Sequence, residues 1–219
     1  MLIKKSFPII ICIFSVFLSG CNNVSSEKIV ESPDENATQI SEVKENPFKA
    51  FYIYKDKGGR ENHFNPSGFM GSVGCIKYND RWTDGCQDGK TCIRIDFDIQ
   101  CAREDQQWAG IYWLNPPNNW GDRKGGYNLA GAQKLTFWAR GEVGGEMIQE
   151  FTIGGIKGDY PDTDKVVIGP VILTEDWREY TIDLRGKDLS YISGGFSWST
   201  DVDVNPESCA FYLDEIRFE

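Results

Sequence analysis

Aromatic side chains set beside charged ones are the chief chemical resource of this 219-residue chain, which carries seven tryptophans and 13% aromatic residues. Trp108 and Tyr112 sit four apart in one apolar segment, and Trp138 and Arg140 alternate in another. Arg94 and Asp96 alternate in a third, and Trp120 lies in the loop Asn115-Pro116-Pro117-Asn118-Asn119-Trp120-Gly121-Asp122. Flat rings with carboxylates and guanidinium groups beside them suit non-covalent recognition of polyhydroxylated rings. The C–H face of a pyranose buries against an indole, and its hydroxyls bond to the charged groups. Pro116 and Pro117 would stiffen the loop that presents Trp120.

Covalent chemistry has fewer parts. His63 is the sole histidine, so a Ser-His-Asp triad would have to use it, and nearby Ser67 stands in no nucleophile elbow. Two carboxylates could hydrolyse a glycoside, but no pattern singles out a pair. The glycine doublets lack the Lys-Ser/Thr of a phosphate loop. Zinc spacing is absent. Asn79-Asp80 and the 159–164 loop offer hard oxygen ligands of the kind calcium takes, although Asp and Asn favour solvated turns in any case. The formal charge is −10, and loss of Lys4 and Lys5 with a cleaved leader would make it −12. So acidic a surface disfavours nucleic acid and anionic lipid as partners.

The elements that position these residues read as strands. Alternating apolar segments recur at Lys49–Tyr54, Thr91–Ile99, Gln107–Trp113, Lys134–Arg140, Met147–Ile153, Val166–Leu173, Trp177–Leu184, Gly194–Ser199 and Cys209–Phe218. Turn residues separate them, and no segment of useful length has helical period. The expectation is an all-β, two-sheet antiparallel jelly-roll sandwich spanning 47–219. Period-2 parity places Ile93, Ile95, Phe97 and Ile99 in the core, with Leu135, Phe137 and Ala139 and with Ala109, Ile111 and Trp113. Trp108, Tyr112, Trp138, Arg140, Arg94 and Asp96 then share the outward parity and, with Trp120, form the candidate saccharide-binding set. Trp177 reads as the start of a packed strand. Of the five cysteines in this region, Cys75 and Cys86 bracket a loop and are the preferred pair. Opposite parity disfavours a bond between Cys92 and Cys101, and an odd count leaves at least one unpaired.

The first residues set the compartment. Lys4 and Lys5, the apolar run Phe7 to Leu18 and then Leu18-Ser19-Gly20-Cys21 form an export signal too short to span a bilayer. The stretch resembles a bacterial lipobox, which implies cleavage after residue 20, acylation of Cys21 and membrane anchoring in the periplasm or at the cell surface. Residues 22–46 have no aromatic residue and many Ser, Glu and Asn. They read as a disordered acidic tether reaching roughly 25–30 Å.

Three later segments, Gly125 to Gly141, Leu173 to Leu184 and Phe211 to Ile216, resemble in order and spacing the galactose-binding-like jelly-roll domains that include many carbohydrate-binding modules. The resemblance implies glycan binding on a concave sheet face or loop rim, and a structural calcium near the closing strand with Asp214 at the acidic position. Glu215 stands where a second Asp is common. The expected function is a non-catalytic glycan-binding lipoprotein whose partners are a poly- or oligosaccharide and, through Cys21, the bilayer. A polysaccharide hydrolase or lyase on the same scaffold and a surface protein-interaction lipoprotein are the alternatives.

Overall fold

A computed structural model describes residues 48–102 and 105–219. Cys21, the leader and the tether lie outside them. Among the described residues there are thirteen strands: β1 (Phe51–Tyr54), β2 (Asn65–Gly71), β3 (Ile76–Trp82), β4 (Cys92–Phe97), β5 (Trp108–Leu114), β6 (Lys134–Gly141), β7 (Met147–Ile148), β8 (Glu150–Gly154), β9 (Lys165–Ile168), β10 (Val171–Ile172), β11 (Arg178–Asp183), β12 (Gly194–Asp201) and β13 (Cys209–Phe218). All pairings are antiparallel. One sheet runs β11-β6-β13-β4-β3, with β1 also on β13, and the other runs β2-β5-β12-β8-β9. The short β10-β7 pair stands apart. The chain is thus the expected jelly-roll sandwich.

Every segment with sequence alternation contains a strand. Two strands carry no such signal. In β2, Pro66 and Gly68 interrupt the pattern, and both are tolerated because β2 is an edge. In β3, Asn79 and Asp80 read as a turn but lie in an edge strand.

While Phe97 and Ala109 form a smaller cluster with Cys75, most inward residues of the two sheets meet in one core. Ile93, Ile95, Leu135, Phe137, Phe151, Phe196, Trp198, Phe211 and Phe218 are fully buried there. Phe137 lies 5.1 Å from Phe196, and Trp198 meets Phe211 edge-on at 5.0 Å. Each such ring contributes about 1.5–3 kcal/mol through burial. The parity assignments hold for Ile93, Ile95, Phe97, Ala109, Ile111, Trp113, Leu135, Phe137 and Ala139, all at most 1% exposed. Ile99 has left the strand for a 3-10 turn over Ile99–Cys101.

The cysteine pairing differs from the expectation. Cys75 bonds Cys101, and Cys86 bonds Cys92, with Cα separations of 5.5 and 5.4 Å. The loop between Cys75 and Cys86 is no loop but β3, whose extended course carries the two apart. Cys86 instead closes the turn that leads into β4. Cys209 is the free cysteine among the described residues, and burial, then the charges of Glu146 and Asp96, push its thiol up to about 12.

Candidate functional site

The seven residues of the saccharide set do not form one groove. Parity reports which face of its own sheet a side chain takes, and here the two strand groups belong to different sheets. Arg94 and Asp96 (β4), with Trp138 and Arg140 (β6), face outward from the β11-β6-β13-β4-β3 sheet. Trp108 and Tyr112 (β5) face outward from the other sheet, and Trp120 stands beside them.

On the first sheet, Arg94, Asp96 and Arg140 are held by protein partners. Arg140 stacks over the Tyr212 ring at 3.8 Å and lies 5.5 Å from Trp177. Arg94 lies 4.8 Å from Trp82, with its Nη2 on Asp96 at 2.8 Å and its Nη1 bonded to Glu142 and Tyr212. The Asp96 contact, the largest influence, holds the Arg94 guanidinium above its ordinary range. Tyr212 is only 2% exposed. The turn around residues 83–90 folds onto the same face. Trp177 Nε1 donates to Gly85 O at 2.7 Å, while Gln87 and Asp88 donate backbone N–H groups to Asp214. Trp177, read from sequence as a packed strand start, is one wall of this cluster. Tyr212 and Trp82 were missed, although Tyr212 alternates with the core residues Phe211 and Leu213. A cleft of about 710 Å³ opens beside this sheet, lined among others by Lys77, Glu142, Asn205 and Cys209, with no tryptophan or tyrosine among its walls.

Asp214 does not fit the calcium expectation. It is wholly buried, and its two carboxylate oxygens accept N–H groups from Gln87, Asp88 and Glu215 at 3.0–3.1 Å. Those N–H dipoles point their positive ends at the place a cation would take. Burial raises the carboxyl to about 7 against these hydrogen bonds. Asp162 likewise accepts backbone N–H groups from Ile156, Ser193 and Gly194, so the 159–164 loop is a turn stapled by a carboxylate. Among the described residues, no group of three or more His, Cys, Asp or Glu side chains is spaced to hold a metal. His63 stacks on Phe51 at 3.8 Å, and its Nδ1 lies 3.0 Å from Tyr52 O, which is a packing role.

The face of the β2-β5-β12-β8-β9 sheet is built differently. Opposed residues of an antiparallel pair share a face, so the register assigns it directly. Along β5 it carries Trp108, Gly110 and Tyr112. Against these, β2 sets Met70 opposite Gly110 and Gly68 opposite Tyr112. On the other side, β12 sets Asp201 opposite Trp108, Ser199 opposite Gly110 and Ser197 opposite Tyr112. Beyond them, β8 sets Glu150 opposite Ser199 and Thr152 opposite Ser197. Trp108 is 41% exposed and Trp120 44%. The result is an apolar strip of Trp108, Met70, Tyr112 and Trp120 beside a polar strip of Asp201, Ser199 and Glu150, with Ser197 and Thr152 of the same face buried at 4% exposure each.

Glycines seat the two exposed indoles. At Gly71, with φ +67°, a Cβ would lie 2.2 Å from Trp108 O and 3.0 Å from its Cδ2. At Gly68 a Cβ would lie 2.8 Å from Tyr112 Cβ and 2.9 Å from Trp120 Cζ2. Both indoles therefore lie close against β2. Ser72 fixes the entry to β5, since its N–H donates to Trp108 O at 2.8 Å and its hydroxyl to Gln106 O. Tyr112 is only 8% exposed and meets Trp120 edge-on at 6.0 Å. Its phenol donates to Gly154 O, and burial raises it far above its ordinary range. The Trp120 loop leaves β5 through a cis Asn115–Pro116 bond. It is held by buried Asn119, whose amide donates to Asn115 O and Arg123 O and whose Oδ1 accepts from Gly121.

Trp108 and Tyr112 thus share one face of β5, and Trp120 meets Tyr112. The polar strip was missed, though parity could have found it: Ser197 and Ser199 alternate with Phe196 and Trp198, and Glu150 and Thr152 with Phe151 and Ile153. In the polar strip, Asp201 Oδ1 accepts the N–H groups of Asp203 and Val204. Glu150 is exposed and makes no ion pair with a described residue.

No protein-family model matches this sequence, and no curated protein does. Solved structures do. A family 30 carbohydrate-binding module from a cellulosomal cellulase of Clostridium thermocellum aligns at 15% identity with a TM-score of 0.52, over 78% of this chain and 97% of the module. A second structure of a family 30 carbohydrate-binding module aligns at 15% identity and 0.54, over 78% and 98%. At this identity the likeness is one of fold: the chain is built as the jelly roll of those modules.

Proposed function

We propose that this chain is a non-catalytic glycan-binding protein that lays a saccharide chain along β5, tethered outside the cytoplasm through acylated Cys21. The observation that carries the binding reading is the pairing of strips on one sheet face. Exposed Trp108 and Trp120 offer ring faces to the apolar side of pyranose units, and Ser199, Asp201 and Glu150 meet the hydroxyl edge. Trp108 and Tyr112 are four residues apart, roughly 13 Å along the strand, so the strip suits an oligosaccharide rather than one sugar. The family 30 carbohydrate-binding modules of the same fold lend support. The export signal and lipobox resemblance support the anchoring.

The test is affinity electrophoresis of the domain through gels containing β-glucan, glucomannan, xylan or chitosan. Retardation in at least one gel, lost in Trp108→Ala and Trp120→Ala with melting temperature little changed, is the expected result. Free migration in all of them would overturn the binding reading. Metabolic labelling with a fatty acid, lost in Cys21→Ser, tests the anchor.

A further inference from the structure

On the inner side of β2, away from the open sheet face, the two layers of the sandwich part. β2 and β3 are the edge strands of their sheets. Their inward rings lean together across the gap, with Tyr78 lying 6.4 Å from Phe69 and 6.1 Å from Trp113. A cavity of about 280 Å³ lies here, and its walls include Ile53, Phe64 and Trp113. The loop that carries Lys57 and Gly59 closes one side. Asn62 pins that loop, since its amide donates to Asp56 O at 2.8 Å and its Oδ1 accepts from Lys55 N at 3.0 Å. Lys57 Nζ pairs with the Asp80 carboxylate, and both residues line the cavity. Tyr78 lines it too, and its hydroxyl is buried with no hydrogen-bond partner among the described residues. Burial, then the charge of Asp80, holds that phenol above its ordinary range, so it stays protonated and able to donate.

A buried hydroxyl without a partner costs free energy that a ligand oxygen would recover. The surroundings narrow what that ligand is. An apolar guest leaves Tyr78 unpaired. A charged guest loses its hydration and finds no free counter-charge, because Lys57 and Asp80 already neutralise each other. A neutral polyhydroxylated ring meets neither objection. Its C–H face suits aromatic walls, and its hydroxyls suit a phenol, an ammonium and a carboxylate. The volume lies just below the roughly 300 Å³ at which ligand pockets begin, so it holds one ring and no chain. We infer that the cavity between β2 and β3 is a second site, for a single neutral saccharide unit, with Tyr78 bonding to it inside and Lys57 and Asp80 bonding to its hydroxyls. The open face and this cavity lie on opposite sides of β2, and neither needs the other.

The probes are D-glucose, D-galactose, D-mannose and D-xylose, each titrated at millimolar concentration into the ¹⁵N-labelled domain. With at least one of them, the Trp113 indole signal and the Gly58 and Gly59 amide signals are expected to move. Tyr78→Phe keeps the ring and removes the unpaired hydroxyl, so its melting temperature is held or raised. It is expected to weaken that sugar roughly fivefold, the scale of one neutral hydrogen bond. The methyl glycoside of the same sugar names the source: equal binding assigns the cavity to the end of a glycan chain, and weaker binding assigns it to a free monosaccharide. No movement of these three signals with any of the four sugars, or movement indifferent to Tyr78→Phe, would overturn the inference and leave the open-face reading standing. Retardation in polysaccharide gels lost together with the monosaccharide in Tyr78→Phe would overturn the separation of the two sites. Movement of the three signals beside free migration in every gel would leave the cavity standing and overturn the open face.

Discussion

Replacing Trp108 by alanine tests how an exposed ring on a sheet face earns its place. The indole is 41% exposed. Against the upper end of the roughly 150–250 Å² that a tryptophan can bury, about 100 Å² is open to a ligand. A pyranose face covering about half of it removes ~50 Å² from each partner, and at ~25 cal/mol per Å² the contact is worth up to about 2.5 kcal/mol. Part of this is offset by ordering the sugar, so the expected loss of affinity lies between about tenfold and ~70-fold. The cost to the fold is smaller than for a core ring such as Trp198, where truncation leaves a cavity and costs about 3–5 kcal/mol. Calorimetry with the retained oligosaccharide, paired with thermal melting, reads both quantities. An affinity change below threefold with the fold intact would refute the argument that the open indole face is the contact.

Further outcomes follow from the same structure. Trp138→Ala, on the opposite sheet, leaves retardation in polysaccharide gels unchanged, and its loss there would move the site to the Arg140–Tyr212 cluster. Gly68→Ala crowds Tyr112 and Trp120 and lowers stability by about 1–3 kcal/mol, measured by urea denaturation. Non-reducing peptide mapping yields Cys75–Cys101 and Cys86–Cys92 linked peptides with Cys209 free; in the chain-entropy account, losing the longer loop costs about 3.5 kcal/mol and the shorter about 2. Asp214 has its carboxyl raised to about 7 in the fold from an ordinary 3.8. Its contribution is therefore full below about pH 4 and declines as pH rises toward 7. Asp214→Asn removes that slope from a series of melts over this range, and a slope equally steep in the variant would contradict the assignment.

Much of the fold was legible because alternation survives wherever one strand face is buried. Phe137 and Ala139 could be placed inward from β6 alone, and Ala109 and Ile111 from β5. The edge strands β2 and β3 escaped because edges tolerate Pro66, Gly68 and Asn79-Asp80, the same residues that mark turns. For the site, parity found Trp108 and Tyr112 yet joined them to Trp138 and Arg140, since period 2 carries no information about which sheet a strand enters. That depends on the order in which β4, β6 and β13 pair. Nor does a sequence show that the turn after β3 folds back to bond Asp214 and Trp177, converting outward aromatics on that sheet into a packed cluster. The Cys75–Cys101 disulfide was hidden for the same reason, since Cys101 meets Cys75 only after β3 and β4 have paired.

The central claim, that a saccharide rests on the β5 face, is tested most directly by the indole N–H resonances of the seven tryptophans. On titration of the ¹⁵N-labelled domain with an oligosaccharide from a retaining polysaccharide, the Trp108 and Trp120 signals are expected to shift, while those of Trp82, Trp138 and Trp177 stay in place. Shifts confined to Trp82, Trp138 and Trp177 would contradict it.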